Sequence, residues 1–442
     1  MKTSDFDTII SETSLIGKEM YQLIEELYPI CRSITGNGVR KTHRIIGKHV
    51  PIKTYEISTG TNVFDWTVPK EWNIQDAYVL DPKGNKIIDF KKSNLHVVNY
   101  SIPINTKISL KELKKHLHSL PDQPNVIPYL TSYYNEDWGF CISNDQLLKL
   151  EDGEYTVVIN SSLEYGNLTY SEYYLKGEKE DEILITCYTC HPSLCNDNLS
   201  GVSLVTFLAK YLSRIPLEYS YRFLFIPETI GAITWLCVNE KNISRIKCGL
   251  VVTCVGDSGD STYKKSRQGN TEIDVIATNV LRNSGDNYTI LDFFPSGSDE
   301  RQFCSPGFNL AVGSLMRTMY GNFKEYHTSA DNLQFVNMKG LEDSFIKYLK
   351  ILFVLENNKT YLTLNPNCEP QLSKRGLYPT LGGQKINDTT KQAIQWVLNL
   401  SDGNNSLLDI SNKSNMDFNL IKDTVDILTE NNLLKQYEKL NK

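Results

Sequence analysis

Residues 182–201, EILITCYTCHPSLCNDNLSG, decide how the chain is read. The run EILITC is a short apolar, β-branched segment of strand character, and from Gly201 the stretch GVSLVTFLAKYL has helical spacing. A strand, a polar loop and a helix make one α/β unit, and in an open sheet of such units ligands lie at the carboxyl ends of strands. Cys187-Tyr-Thr-Cys190-His191 also matches a c-type haem attachment site, half of a zinc ribbon, or a redox dithiol. No second CxxC exists to complete a ribbon. Haem attachment requires export, and the N-terminal residues are interrupted by acidic side chains with no continuous apolar core. The expectation is a cytoplasmic protein with ten reduced cysteines. Cys187 and Cys190 then read as small packing residues, with a redox dithiol the lesser alternative, and the chemistry passes to His191 and Asp197.

Working outward, Ile16, Met20, Leu23, Ile24 and Leu27 fall at helical spacing within 14–33. From residue 53 the texture becomes β-rich, with segments such as NVFDWTV and DAYVLD between turn signals such as PKGN, and one helical interruption expected at 110–120. After residue 164 strands and helices alternate: YRFLFI (221–226), GLVVTCV (249–255) and NLAVGSL (309–315) are further strands, which predicts a helix-covered, largely parallel sheet. Beyond NPNCEPQ (365–371), three helical patterns (389–400, SLLDISNKS, FNLIKDTVDILTENN) and a closing LLKQYEK look like a winged helix. The expected organisation is 1–60 as the first part of an α/β core, 61–163 as a β-rich insertion, 164–370 as the main core and 371–442 as the winged helix. A chain of 442 residues has room for these parts. No apolar run is long enough to span a bilayer.

Five titratable residues follow strands: His191, Asp197, Glu228, Asp257 and His327. Imidazoles and carboxylates are zinc ligands, and a carboxylate outside the ligand set can deprotonate water. His43, His49, His96, His116 and His118 read as structural or surface residues, the last two as solvated. Arg267 and Arg301 are candidates for holding a substrate carboxylate, because the guanidinium fork suits that group; structural ion pairs are the competing reading.

The order H191…D197-N-L-S-G…E228…S298-D-E…Y326-H-T-S-A-D resembles the zinc aminopeptidases with a co-catalytic metal pair. Over its whole length the chain resembles a bacterial family of aminopeptidase-like proteins associated with polysaccharide biosynthesis, which carry an inserted β domain and a C-terminal winged helix. The resemblance implies a mixed sheet covered by helices, one or two zinc ions, His191, Asp197 and His327 as ligands, and Glu228 as general base for cleavage of an amide or peptide bond. It also exposes departures. The family's adjacent glutamate pair is Glu228-Thr229 here, the aspartate after the next strand falls near Thr253 with Asp257 close by, and the aspartate two residues past the first histidine is Ser193. Two alternatives follow: a peptidase-like scaffold or binding protein that has lost hydrolysis, and a winged-helix regulator.

With 46 basic and 52 acidic residues the net charge is −6, which disfavours a general attraction to nucleic acid or anionic membrane. From Asp388 onward eight acidic residues face six basic ones, and the third helix carries Asp417, Asp423, Asp426 and Glu430 against Lys422 alone. Phosphate binding needs the opposite sign. The expected partners are a small peptide or amide substrate and a second copy of the chain, bound through the insertion or the winged helix.

Overall fold

The computed structural model describes residues 1–377 and 388–437, in two compact units. One holds Glu12–Asp274 with Asp286–Ile346; the other holds Met1–Ser11, Val275–Gly285 and the described residues from 347 onward.

The larger unit is built on an eight-stranded sheet: β1 Lys53–Ser58, β2 Asn167–Leu175, β3 Glu182–Tyr188, β4 Ser220–Ile226, β5 Ile246–Val252, β6 Ser261–Lys264, β7 Tyr288–Leu291 and β8 Val312–Met316. Their spatial order is β1-β2-β4-β3-β5-β8-β6-β7. The four central strands are mutually parallel, with antiparallel pairs at β1–β2, β2–β4 and β8–β6. This is the mixed, helix-covered sheet expected. All seven residues of β3 are buried, as in a strand covered on both faces. From β3 the chain passes to β4 on one side and later to β5 on the other, so the crevice of the sheet opens at the end of β3. The helix Gly201–Leu212 packs there with eleven of its twelve residues buried. Gly201 permits the approach: a Cβ on it would lie 2.4 Å from the Val252 carbonyl oxygen and 2.3 Å from Asn198 Oδ1.

The helix Thr13–Leu27 buries Ile16, Met20, Leu23, Ile24 and Leu27, the expected face. Between β1 and β2 lies a separate antiparallel sheet in the order Lys86–Asp89, Glu71–Leu80, Glu154–Glu164, Ile104–Ser109. Its own core includes Val79, Ile88, Phe140, Val157 and Ile159, while Trp72 and Tyr100 pack into the main core with Leu184 and Ile226. The helix expected at 110–120 is shorter. Only Leu110–Leu113 is α-helical, and the chain leaves through a 3-10 turn into the strand Leu117–His118. His116 is not solvated as expected: its ring stacks on Trp138 at 3.8 Å and its Nδ1 donates to the Trp138 carbonyl.

In the smaller unit, the helices Asp388–Leu400, Leu407–Ser414 and Phe418–Glu430 accompany a three-stranded sheet, ordered Asp402–Ser406, Thr360–Thr363, Leu434–Tyr437. Its first strand thus lies upstream of residue 371. A capping box between Ser406 and Asp409 starts the second helix. Lys422 of the third helix is paired with Asp426. Glu438, Lys439 and Lys442 of the acidic and basic tally lie outside the described residues, as does the end of LLKQYEK. All ten cysteines are free thiols. No helix among the described residues is long and apolar enough to cross a membrane.

Arg40 in the helix Asn37–Ile46 ties the insertion to the core. Its guanidinium grips both oxygens of Glu71 at 2.7 Å and both of Glu56, on β1, at 2.9 and 3.0 Å. The bond from Arg40 outweighs burial and, with Asn167 N–H and the Asn73 amide, holds Glu71 down at about 2. A depressed carboxylate stabilises the fold above its unfolded pKa and loses that contribution as pH falls through the folded value. Glu71→Gln should therefore cost about 1 kcal/mol at neutral pH, discounted for partial exposure. In thermal melts the gap between variant and wild type should close as pH drops from about 4.5 towards 2; a gap constant over that window refutes the assignment.

Candidate active site

Three of the four parallel strands deliver the site residues from their following loops at one edge of the sheet. His191 lies three residues beyond β3, Glu228 two beyond β4, and Tyr326-His327 on the loop after β8. Asp197 sits in the turn Cys195–Ser200 that precedes the helix from Gly201. This turn is held by Asp331, whose two oxygens accept the backbone N–H groups of Asn196 and Asp197 at 2.6 and 2.9 Å. The His191 carbonyl is held by Arg32, a buried guanidinium that donates from Nε at 2.9 Å and also reaches the Leu27 carbonyl.

Asp197 Oδ2 lies 3.0 Å from His327 Nε2 and 4.0 Å from His191 Nε2. One donor atom from each of the three residues lies within 4.8 Å of the others. Asp197 Oδ2 and His327 Nε2 are nevertheless buried without a partner that satisfies hydrogen-bond geometry. Each such atom costs about 1–3 kcal/mol if left unsatisfied. A cation between the three groups removes that cost, and two imidazoles with a carboxylate form a zinc donor set. Burial lowers His191 to about 4, which keeps its imidazole neutral and able to donate a lone pair. Burial would raise the Asp197 carboxyl, but His191, His327 and Tyr188 outweigh it and hold it at about 2. The residues fit a zinc ion.

The other oxygen of Asp197 is already taken. Tyr188 donates its hydroxyl to Oδ1 in a short bond, and the same phenol oxygen lies 2.6 Å from Thr253 Oγ1. A second trio, Cys190, His191 and Glu228, is also compact. Its sulfur, however, is a thiol pushed far above neutrality by burial and accepts the Glu228 backbone N–H at 3.3 Å, so it is a poor ligand.

Glu228 lies 3.8 Å from His191 Nε2 and is 23 % exposed, on the wall of a cavity of about 480 Å³. Burial first, then the Asp299 and Asp197 carboxylates, push its proton affinity well above the ordinary carboxylate range, with Arg301 pulling the other way. Asp299 is itself raised to about 7, chiefly by burial. Thr229 joins these groups: its backbone N–H donates to Asp299 Oδ1 at 2.7 Å and its Oγ1 accepts from Arg301 Nη2 at 2.7 Å. Thr229 has φ +61°, an uncommon conformation for a β-branched residue.

The insertion supplies much of the cavity wall, including Trp66, Tyr129, Tyr133 and Tyr134. Tyr129 packs its ring against both His191 and His327, with centroids 5.3 and 5.2 Å away. The Tyr129 N–H donates to the His327 carbonyl at 2.7 Å, and Ser329 N–H to that of Ile127 at 2.8 Å. Of the expected residues, His191, Glu228, His327 and Arg301 line this cavity, and Asp197 is buried against the two histidines. Asp257 does not: its carboxylate is occupied by Thr318, the Gly259 N–H and the Asn196 amide. Arg267 is bonded to Asn309 and does not line the cavity. Reading the sequence missed Arg32, Tyr129, Tyr188 and Asp299; only Asp299 left a signal, in the S298-D-E segment.

The family model described as Domain of unknown function (DUF4910) matches residues 21–358, and a winged helix-turn-helix model matches 359–436. A Clostridium acetobutylicum protein, provisionally named a polysaccharide biosynthesis protein with an aminopeptidase-like domain, is 58% identical over 98% of this chain and 99% of its own. The crystal structure of a provisionally named peptidase from the same organism has 57% identity and a TM-score of 0.95, covering 99% of this chain and 100% of that one. A zinc aminopeptidase from Bacillus subtilis shares the fold at 13% identity and TM-score 0.56, over 77% of this chain and 95% of that one. A peptidase M28 precursor from Shewanella amazonensis does so at 12% and 0.56, over 81% and 98%. The chain belongs to the DUF4910 family, an aminopeptidase-like α/β core followed by a winged helix.

Proposed function

We propose that the protein is a zinc-dependent hydrolase of an amide or peptide bond, with one ion held by His191, Asp197 and His327 and with Glu228 as general base. The observation that carries this reading is the pair of buried, unpartnered atoms, Asp197 Oδ2 and His327 Nε2, turned towards His191 beside the Glu228 carboxylate. Zinc bound there supplies Lewis acidity, polarising an amide carbonyl and lowering the pKa of an attacking water. Glu228 accepts the water's proton and returns it to the leaving nitrogen. Its raised proton affinity suits both halves of that transfer, since a weakly basic carboxylate would hold the proton too briefly to deliver it. Tyr129 packs its ring against both imidazoles and Tyr326 stacks on that of His327, which holds the two rings in place.

The count of one ion is supported by Tyr188, which occupies the Asp197 oxygen that a second ion would need. Thr229, which offers no carboxylate, supports it too. A link to polysaccharide synthesis accords with the name of the Clostridium relative.

Metal analysis of the purified full-length protein should find about one zinc per chain, and His327→Ala should lower zinc affinity at least about tenfold. Two bound ions would overturn the count, and none would overturn the function. On a panel of amino-acid anilides and N-acyl amino acids, Glu228→Gln should keep its zinc and lose about 10²–10⁴-fold in kcat. Undiminished turnover by that variant would remove Glu228 from the mechanism.

A further inference from the structure

The cavity that holds the candidate site has two charged walls, and they differ in what satisfies them. Glu228 faces the zinc ligands. Arg301 lies on the same cavity, joined to the residue next to Glu228 by the bond from its Nη2 to Thr229 Oγ1. Its Nε–H is buried with no partner, and among the described residues no carboxylate forms an ion pair with it. Its neighbour in sequence shows the contrast: Glu300 is paired with the fully buried Lys264 at 2.6 Å. Glu228 and Asp299 feel the charge of Arg301 from beyond ion-pair distance, and a half-buried guanidinium with no carboxylate in direct contact can still take one from a ligand through its fork.

The remaining lining sharpens the choice. A substrate presenting a free ammonium group beside the scissile bond needs an acidic residue to receive it. Among the described residues lining the cavity Glu228 is the one acid, and the proposed chemistry occupies it. Trp66 and Tyr134, 41% and 48% exposed with ring centroids 5.7 Å apart, offer apolar faces on the same wall.

We propose that Arg301, oriented by Thr229, is a carboxylate-binding residue, and that the substrate is a short amide bearing a free carboxylate next to the scissile bond, of the N-acyl amino acid class, in place of a free N-terminus. The proposal rests on the hydrolase reading for the reaction, while the carboxylate preference is a binding property measurable apart from it. Zinc-loaded full-length protein is titrated calorimetrically with N-acetyl-L-phenylalanine, N-acetyl-L-phenylalaninamide and L-phenylalaninamide. The first should bind at least about tenfold more tightly than the other two. Arg301→Met should abolish the preference, and Arg301→Lys should retain part of it, because an ammonium keeps the charge and loses the fork. Thr229→Val, which leaves the guanidinium in place but unoriented, should weaken it. The titrations are repeated after chelation, so that a carboxylate held by the ion is separated from one held by Arg301. Equal affinities, absence of binding by the first probe, a preference that survives Arg301→Met, or one that vanishes on chelation would each overturn the proposal. Should the preference fail while zinc content and Glu228-dependent turnover stand, only the substrate class falls. Should zinc or turnover be absent while the preference holds, the hydrolase reading falls and the carboxylate site remains.

Discussion

A buried carboxylate has two oxygens, and each must find a partner that compensates for lost water. In Asp197 the two have opposite solutions. One accepts a phenol hydroxyl from the strand that leads into the site, and the other is left facing two imidazoles. The rest of the site follows from keeping that arrangement. Asp331 fixes the backbone of the aspartate, Arg32 fixes the carbonyl of the first histidine, and Tyr129 holds the loop of the second. A sheet whose central strands are parallel brings these loops together because every one of them leaves its strand at the same edge.

The zinc-aminopeptidase fold is retained here with a different set of groups in the crevice. Where the resemblance implies a second carboxylate ligand, Thr229 stands, and its hydroxyl receives a guanidinium. Where it implies an aspartate after the following strand, Thr253 meets the Tyr188 phenol. At each of these two positions a neutral hydroxyl stands where the resemblance implies an anion.

How much of this was legible in the sequence depended on how local each signal was. The four strands and the residues that follow them could be read because an apolar run ending in a histidine or glutamate is a pattern of a few residues. His191 and Glu228 follow their strands within three residues, whereas Asp197 and His327 stand out through the motifs D197-N-L-S-G and Y326-H-T-S-A-D that carry the family resemblance. Asp257 has the same position relative to its strand, yet its side chain turns to Thr318 and Gly259; a strand end fixes where a residue sits and leaves its direction open. Tyr188 gave no signal, since a strand buried on both faces has no alternation to mark one side chain as special. The Lys-rich segment at 110–120 had helical spacing, but His116 stacks on Trp138 and Leu117–His118 pairs with Phe140–Cys141, and these non-local contacts prevail over local propensity. Tyr129 belongs to a region whose texture announced only β structure, and its role depends on a partner far along the chain.

That last separation couples two segments far apart in the chain. Ile127 and Ser329 bond to one another across 202 positions of sequence, with one segment inside the insertion and the other in the loop of a proposed zinc ligand. The insertion between β1 and β2 is part of the frame of the site. Modularity is lost in both directions: the core without the insertion lacks the support of His327, and an exchanged insertion must bring a matching edge with it. A substitution that displaces the backbone at 127–129 is thereby felt at His327, and one that displaces 327–329 is felt in the insertion.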